Sequence, residues 1–176
     1  EQALEVFRKL KGVEDFLLDN AAYLVDELYP GFSAQGKAQC LIELGALGLA
    51  KDFAGFIAGQ AVSSSKTVRT EAARALAPLP EEKYRRQLEE YLSGGNSSQR
   101  KFAAEFIGRT MGAEGRSLLE GALATESSKS VAATIELALG GATVKEESEA
   151  ETPLQAPDYE EPRLDAVVSD EVVDLI

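Results

Sequence analysis

Apolar residues recur at helical spacing along most of the chain, and one nine-residue pattern is repeated. The pattern has small residues near its centre and an apolar residue at its end, and it occupies residues 68–76, 99–107 and 131–139. The first two copies begin 31 residues apart and the next two begin 32 apart. A weaker copy at 36–44 lies 32 residues upstream of the first. A fixed period of this size is typical of repeat proteins in which each unit is a pair of helices.

The same periodicity and the turn residues between apolar stretches predict where each helix begins and ends. Ser33, Ser65 and either Asn96 or Ser97 are expected to cap helices, because their side-chain oxygens can accept hydrogen bonds from unpaired N–H groups. A glycine pair at 140–141 is expected to end the last helix. The predicted helices cover residues 2–11, 14–29, 34–47, 52–62, 66–77, 80–93, 97–111, 113–124 and 129–139.

These helices predict an all-α protein, and their pairing predicts a right-handed α-solenoid of about four antiparallel helix pairs. Residues 1–141 would form this helical repeat domain. Small residues at the centre of each second helix would let neighbouring helices approach to about 8 Å. No single pair can bury its apolar face alone, so we expect the stacked pairs to share one core.

Charge is distributed unevenly along the chain. Residues 1–141 hold 16 Lys and Arg against 19 Asp and Glu, whereas residues 142–176 hold 2 against 11. The composition of 142–163 predicts an irregular acidic, proline-containing linker, and 164–176 a short apolar segment that begins a further region. The excess of negative charge disfavours nucleic acid as a partner. No apolar stretch is long enough to span a membrane, and the single cysteine is compatible with a reducing compartment, so we expect a cytoplasmic protein. Because the chain begins without Met and ends in apolar residues, we also expect it to be part of a longer one.

The residue types available exclude several kinds of chemistry. The chain has no His, which removes the common metal ligand, the common general base and any Ser-His-Asp arrangement. The glycines do not form a phosphate-binding loop, because none follows a predicted strand. The single cysteine, Cys40, occupies the small-residue position of its repeat, which favours a packed thiol over a nucleophile. We therefore expect no catalytic site, no metal and no cofactor.

The clearest repeat copy resembles the second-helix signature of HEAT repeats. It follows a serine-rich turn and reads Val68-Arg69-x-x-Ala72-Ala73-x-Ala75-Leu76. The resemblance covers roughly residues 14–140 and is closest to the compact bacterial class with units of about thirty residues. The family usually has an Asp in the turn before the Val-Arg pair, and this chain has serines there. The resemblance implies a curved scaffold that binds proteins, often on the surface formed by the second helices.

Alignment of the copies places three cations, Lys37, Arg69 and Arg100, at one equivalent position. Two interpretations are open for them. Each side chain could bond the helix-end carbonyls or carboxylates of its neighbour, or together they could form a strip that docks an acidic peptide. The residues expected to contact a partner on this second-helix face are Lys37, Arg69, Arg74, Arg100, Lys101 and Glu105.

The favoured function is thus a non-enzymatic protein-interaction scaffold with an unidentified protein partner. One alternative is a spacer or regulatory domain of a larger protein. The other is suggested by phycobilin lyase subunits and alkylpurine DNA glycosylases, HEAT-like enzymes that use the concave surface. Two hypotheses are open for the acidic tail. It could be a linker to a further domain, or, because its charge is opposite to that of the cationic strip, it could dock on the strip until a partner displaces it.

Overall fold

The computed structural model describes the backbone of residues 8–147 and the side chains of residues 8–140. This part of the chain is helical and contains no strand, which confirms the predicted all-α class. Four shorter stretches connect the α-helices: a π-helical segment at Tyr23–Leu28 and 3-10 turns at Tyr29–Gly31, Leu49–Lys51 and Glu81–Lys83. The α-helices are α1 (Val13–Asp19), α2 (Ala34–Ala46), α3 (Ala54–Gln60), α4 (Lys66–Leu76), α5 (Arg85–Gly94), α6 (Ser97–Thr110), α7 (Gly112–Thr125) and α8 (Lys129–Glu147).

The predicted caps are present at the starts of α2, α4 and α6. Ser33 and Ser65 each accept a hydrogen bond from the backbone N–H three residues ahead, at 3.1 and 3.5 Å. Of the two candidates before α6, Asn96 rather than Ser97 is the cap. The side chain of Gln99 accepts a hydrogen bond from the Asn96 N–H in return (2.9 Å), which completes a capping box.

Several predicted helix boundaries are wrong. The predicted helix at 14–29 is divided, because α1 ends at Asp19 and the chain continues as the wider π-helical segment. The side-chain amide of Asn20 donates to the Phe16 carbonyl at 2.8 Å, and this carbonyl also accepts from the Asn20 backbone N–H at 3.1 Å. The predicted helices at 52–62 and 80–93 begin later, at Ala54 and Arg85, after 3-10 turns.

The last helix also differs from its prediction, since α8 continues past the glycine pair at 140–141 to Glu147. Glycine ends a helix most readily when it takes a positive φ, and Gly140 does not. The predicted helix at 2–11 and the predicted segments at 142–163 and 164–176 lie wholly or mostly outside the described residues.

Packing follows the alternation of first and second helices. Within residues 8–147, α3 packs on α4, α5 on α6 and α7 on α8, while α2 lies beside α4 and α6 beside α8. Small residues allow these approaches: Ala72, Ala103 and Ala104 are fully buried. A Cβ at Gly108 of α6 would lie 2.8 Å from the Cβ of Ala138 in α8. The pair α4 and α6 is different, because their backbones approach each other at few points.

One apolar core connects the helices from the π-helical segment to α8. It is built from aliphatic residues with only a few aromatic rings, as the composition predicts. The large side chains that are almost completely buried are Leu41, Leu44, Ile57, Leu76, Leu88, Ile107, Met111, Leu119 and Ile135.

Candidate docking groove

A groove with a volume of about 410 Å³ lies between α4 and α6, where the two helices do not pack closely. Residues three or four apart share one face of a helix, and each helix presents one such stripe to the groove. We call this site the α4–α6 groove. Its lining residues are Lys66, Arg69, Thr70 and Ala73 of α4, Phe102, Glu105, Phe106, Arg109 and Thr110 of α6, and Ala61.

Aromatic side chains separate the two helices and form part of the groove. The guanidinium carbon of Arg69 lies 3.8 Å from the centre of the Phe102 ring, which is a cation–π contact across the gap. Phe106 is 6% exposed and packs edge-on against Tyr84, with ring centres 6.1 Å apart. The side chains of Arg69 and Phe102 thus meet across the gap, whereas Gly108 and Ala138 meet between α6 and α8.

The charge of the groove is positive. Three cations, Lys66, Arg69 and Arg109, line it against one carboxylate, Glu105. Glu105 and Arg109 form an i,i+4 ion pair at 3.6 Å. The charges of Lys66 and Arg69 are then in excess, so the net charge of the lining is positive. A rim of cations beside an aromatic surface suits a ligand that carries both carboxylates and an aromatic or apolar group.

The three aligned cations each contact their own neighbours. Arg69 donates to the carbonyls of Ser63 and Ser64 in the turn before α4, at 2.8 and 3.0 Å. Arg100 donates to both carboxylate oxygens of Glu126, at 2.8 and 3.2 Å, and also to a backbone carbonyl in the turn before α6. The Lys37 ammonium lies 5.6 Å from the centre of the Tyr29 ring. For both arginines, these bonds fit the first of the two interpretations, in which each side chain bonds nearby carbonyls or carboxylates.

The six predicted contact residues are therefore divided among different surfaces. Arg69 and Glu105 line the α4–α6 groove, and Lys101 is half-buried on α6 outside its lining. Arg74 pairs with Glu71 at 2.7 Å and faces a depression on the α2 side of α4. Arg100 lines a cleft between α5 and α7.

Lys66, Phe102 and Arg109 belong to the groove, but sequence reasoning did not select them. A signal was present, because each lies three or four residues from a residue that was selected. Lys66 precedes Arg69 by three positions, Phe102 precedes Glu105 by three, and Arg109 follows Glu105 by four. Continuing the helical stripe from the two selected residues would have found them.

Glu126 is a second residue that sequence reasoning missed. It lies in the turn before α8, where the resemblance to HEAT repeats implies an Asp, and its side chain is 7% exposed. It accepts hydrogen bonds from Arg100 and from the Ser128 N–H, the latter at 2.8 Å. The Arg100 hydrogen bonds, followed by those from the backbone, hold the pKa of Glu126 below its ordinary value. This carboxylate links α6 to the start of α8.

Glu43 on α2 forms a comparable link to the residues before α1. It is 8% exposed and accepts two hydrogen bonds from Arg8, at 2.6 and 2.9 Å, and one from Gln39 at 2.7 Å. The hydrogen bonds from Arg8 are the main reason that the pKa of Glu43 is lowered, although burial opposes them.

Cys40 lies one turn from Glu43 and is partly buried against the core. Burial, with a smaller contribution from Glu43, raises the pKa of its thiol to about 11. The thiol is therefore protonated at neutral pH, and the thiolate is the nucleophilic form. This environment favours the packed thiol predicted from the repeat alignment.

The cleft between α5 and α7 has a volume of about 480 Å³ and contains the Arg100–Glu126 pair. Its lining has two carboxylates, Glu89 and Glu126, against one cation, Arg100, and no aromatic ring, so it lacks the excess of cations found in the α4–α6 groove. Across residues 8–147, His, Cys, Asp and Glu side chains form no group of three suited to a metal ion. Nor does any helix in this region combine the length and apolar character needed to cross a membrane.

No protein-family model, curated protein or solved structure matches this chain. The interpretation of function therefore rests on the residues and on the geometry of the groove.

Proposed function

We propose that this chain is a HEAT-like scaffold, a right-handed α-solenoid of about four helix pairs that binds a protein segment in the α4–α6 groove. Support for the solenoid comes from the period of 31–32 residues and from the side-by-side packing of α2 with α4 and α6 with α8. We place the protein in the cytoplasm, where a lone protonated cysteine needs no partner. The role is binding rather than catalysis.

One observation carries the proposal: the α4–α6 groove combines an excess of cations with the partly exposed ring of Phe102. Protein-binding sites are enriched in aromatic residues and arginine, and charge around them steers partners of opposite sign. We therefore propose an acidic protein segment with at least one aromatic or apolar anchor as the ligand.

The test is a charge reversal of the groove in the full chain, Lys66→Glu/Arg109→Glu. Arg69 stays unchanged, because it also holds the carbonyls of the turn before α4. The bait proteins would capture partners from an extract of the native cells at low salt. We expect the variant to capture about tenfold less of the partners than the wild type, since two rim charges contribute roughly 0.5–1 kcal/mol each and their sign is reversed.

The matched control is Arg86→Glu/Arg116→Glu, which changes net charge equally on the first helices α5 and α7. Each of these arginines makes only an i,i+4 ion pair with its own helix, at 3.1 Å. Wild type and control should capture the same partners. Equal capture by all three proteins, or capture of nothing by any of them, would contradict the proposed function.

A further inference from the structure

The α4–α6 groove has charge and aromatic surface that complement one segment of the chain beyond α8. Along the groove, the α4 stripe covers residues 66–73 and the α6 stripe covers 102–110, about 10–12 Å of helix. Three cations and the rings of Phe102 and Phe106 lie within this length. A ligand of matching size would be short and would need several carboxylates beside an aromatic ring.

Residues 157–162 have this composition. They read Pro-Asp-Tyr-Glu-Glu-Pro, so that three carboxylates surround Tyr159 and a proline stands at either end. In an extended conformation the four central residues would span about 13 Å, close to the length of the groove. A tyrosine ring can stack on a guanidinium or an aromatic face, and both are offered by Arg69 and Phe102.

The segment is also within reach. Gly108 of α6 contacts Ala138 of α8, and α8 continues nine residues, about 13 Å, beyond that contact. Ten residues separate Glu147 from Asp158 and can extend to about 35 Å. To reach the groove from Glu147, the chain must return along the α8 extension, about 13 Å, and pass around α6, about one helix diameter of 10–12 Å. The linking residues can therefore cover the distance.

We propose that residues 157–162 occupy the α4–α6 groove and thereby cover the docking site until a partner displaces them. Tyr159 lies against Arg69 and Phe102, and the neighbouring carboxylates pair with Lys66 and Arg109. Tethering places the segment at an effective concentration of about millimolar, so even a contact of millimolar affinity is occupied about half of the time. The inference rests on the groove being the docking site of the proposed function.

The experiment uses the full chain with a spin label beside the segment, at Gln155→Cys in a Cys40→Ala background. Cys40 can be replaced because the equivalent positions in other copies are Ala72 and Ala103. NMR spectra at low salt should show selective broadening of amides that line the groove, with Thr70, Ala73 and Thr110 falling below half of their diamagnetic intensity. Amides on the first helices, such as those of Gln87 and Gly121, should keep most of theirs.

Charge reversal of the segment, Asp158→Lys/Glu160→Lys/Glu161→Lys, should remove the selective broadening. Adding Lys66→Glu/Arg109→Glu to that variant should restore it, which a change in folding would not do. Absence of selective broadening in the parent, or broadening that survives the reversal of the segment, would overturn the proposal. Broadening of an unlabelled, isotope-enriched chain by a labelled chain would overturn it in favour of a second copy as the occupant.

The reversed segment also separates this inference from the proposed function. If the segment covers the groove about half of the time, the segment-reversed chain should capture about twofold more of the partner than the wild type. If the wild type and the segment-reversed chain capture a partner equally and no selective broadening is seen, the scaffold function is supported and the proposal that residues 157–162 cover the groove is overturned. Selective broadening without capture by any variant supports the segment in the groove and contradicts the scaffold.

Discussion

At the scale of single residues, two carboxylates with little-exposed side chains join parts of the chain that are distant in sequence. Glu43 receives bonds from Arg8 and Gln39, and Glu126 receives bonds from Arg100 and a backbone N–H. Each carboxylate is almost fully hydrogen-bonded, which compensates for its removal from water. Both links connect residues distant in sequence, 35 and 26 positions apart.

These carboxylates predict how stability depends on pH. The pKa of each is lower in the folded protein than the ordinary value of 4.5. Their contribution to stability is therefore fully present above about pH 4.5 and is lost as the pH falls through the folded-state pKa. We expect the wild type to be more stable than Glu43→Gln/Glu126→Gln at pH 7, and the difference to shrink toward pH 3.

Urea unfolding followed by circular dichroism at a series of pH values measures this difference. A matched control is Glu90→Gln/Glu120→Gln, which removes two carboxylates from α5 and α7 whose side chains are 52% and 58% exposed. The control should follow the wild type closely. A gap between wild type and Glu43→Gln/Glu126→Gln that stays constant from pH 7 to pH 3 would contradict the assigned roles.

At the scale of helices, small residues determine which pairs make close contact and which leave a groove. Gly108 brings α6 against Ala138 of α8, and no larger residue fits there without movement. On the other side of α6, Phe102 meets Arg69 of α4 and the helices stay further apart. The same helix therefore packs tightly on one side and lines the groove on the other.

This contrast predicts opposite effects of two glycine substitutions. Gly108→Ala gains about 1 kcal/mol of helix propensity but introduces a methyl group 2.8 Å from the Cβ of Ala138, and overpacking typically costs 1–3 kcal/mol. We expect a net loss of about 1 kcal/mol. Gly121→Ala in α7 has no atom within 4 Å of the new Cβ and should stabilise the protein by up to about 1 kcal/mol.

For each variant, the shift of the urea unfolding midpoint from that of the wild type measures the change in stability, provided that the dependence of the unfolding free energy on urea is unchanged. If Gly108→Ala stabilised the protein as much as Gly121→Ala, the close approach of α6 and α8 would not be tight in solution.

At the scale of the whole molecule, burial is least toward the N-terminal end of the described region. Fully buried large side chains occur from Leu41 on α2 to Ile135 on α8. Toward the N-terminal end, exposed large apolar residues include Phe16 at 64% and Tyr23 at 57%, and on α8 Leu137 is 77% exposed. A helix that packs against several neighbours gains stability from each of them, so the helices of the core should be more stable than the N-terminal end.

Native-state hydrogen exchange should therefore be slowest in α4, α5 and α6 and fastest in α1 and the π-helical segment. Buried contacts are what local opening must break, and α1 contributes only Val13 to the buried set. Exchange measured on the full chain by NMR or mass spectrometry tests this order. Protection of α1 equal to that of α6 would contradict this order and show that the described helices open as one cooperative unit.

Local patterns in the chain predicted the all-α class, most helix positions and the three caps with accuracy. Periodicity and cap chemistry act over a few residues, so they can be recognised without the fold. The glycine pair near residue 140 misled because glycine ends a helix only when the backbone takes up the conformation that it permits. That choice depends on surroundings that the pattern does not contain.

The sequence period of 31–32 residues stays a prediction of stacked helix pairs, whereas the helical class that it also implies is confirmed. The site depended on tertiary structure. Arg69 and Arg100 occupy equivalent positions in the sequence pattern. Arg69 nevertheless lines the α4–α6 groove, whereas Arg100 bonds Glu126 in the turn before α8. Their different roles come from side chains far away in sequence, since Phe102 holds α4 and α6 apart while Gly108 lets α6 and α8 meet.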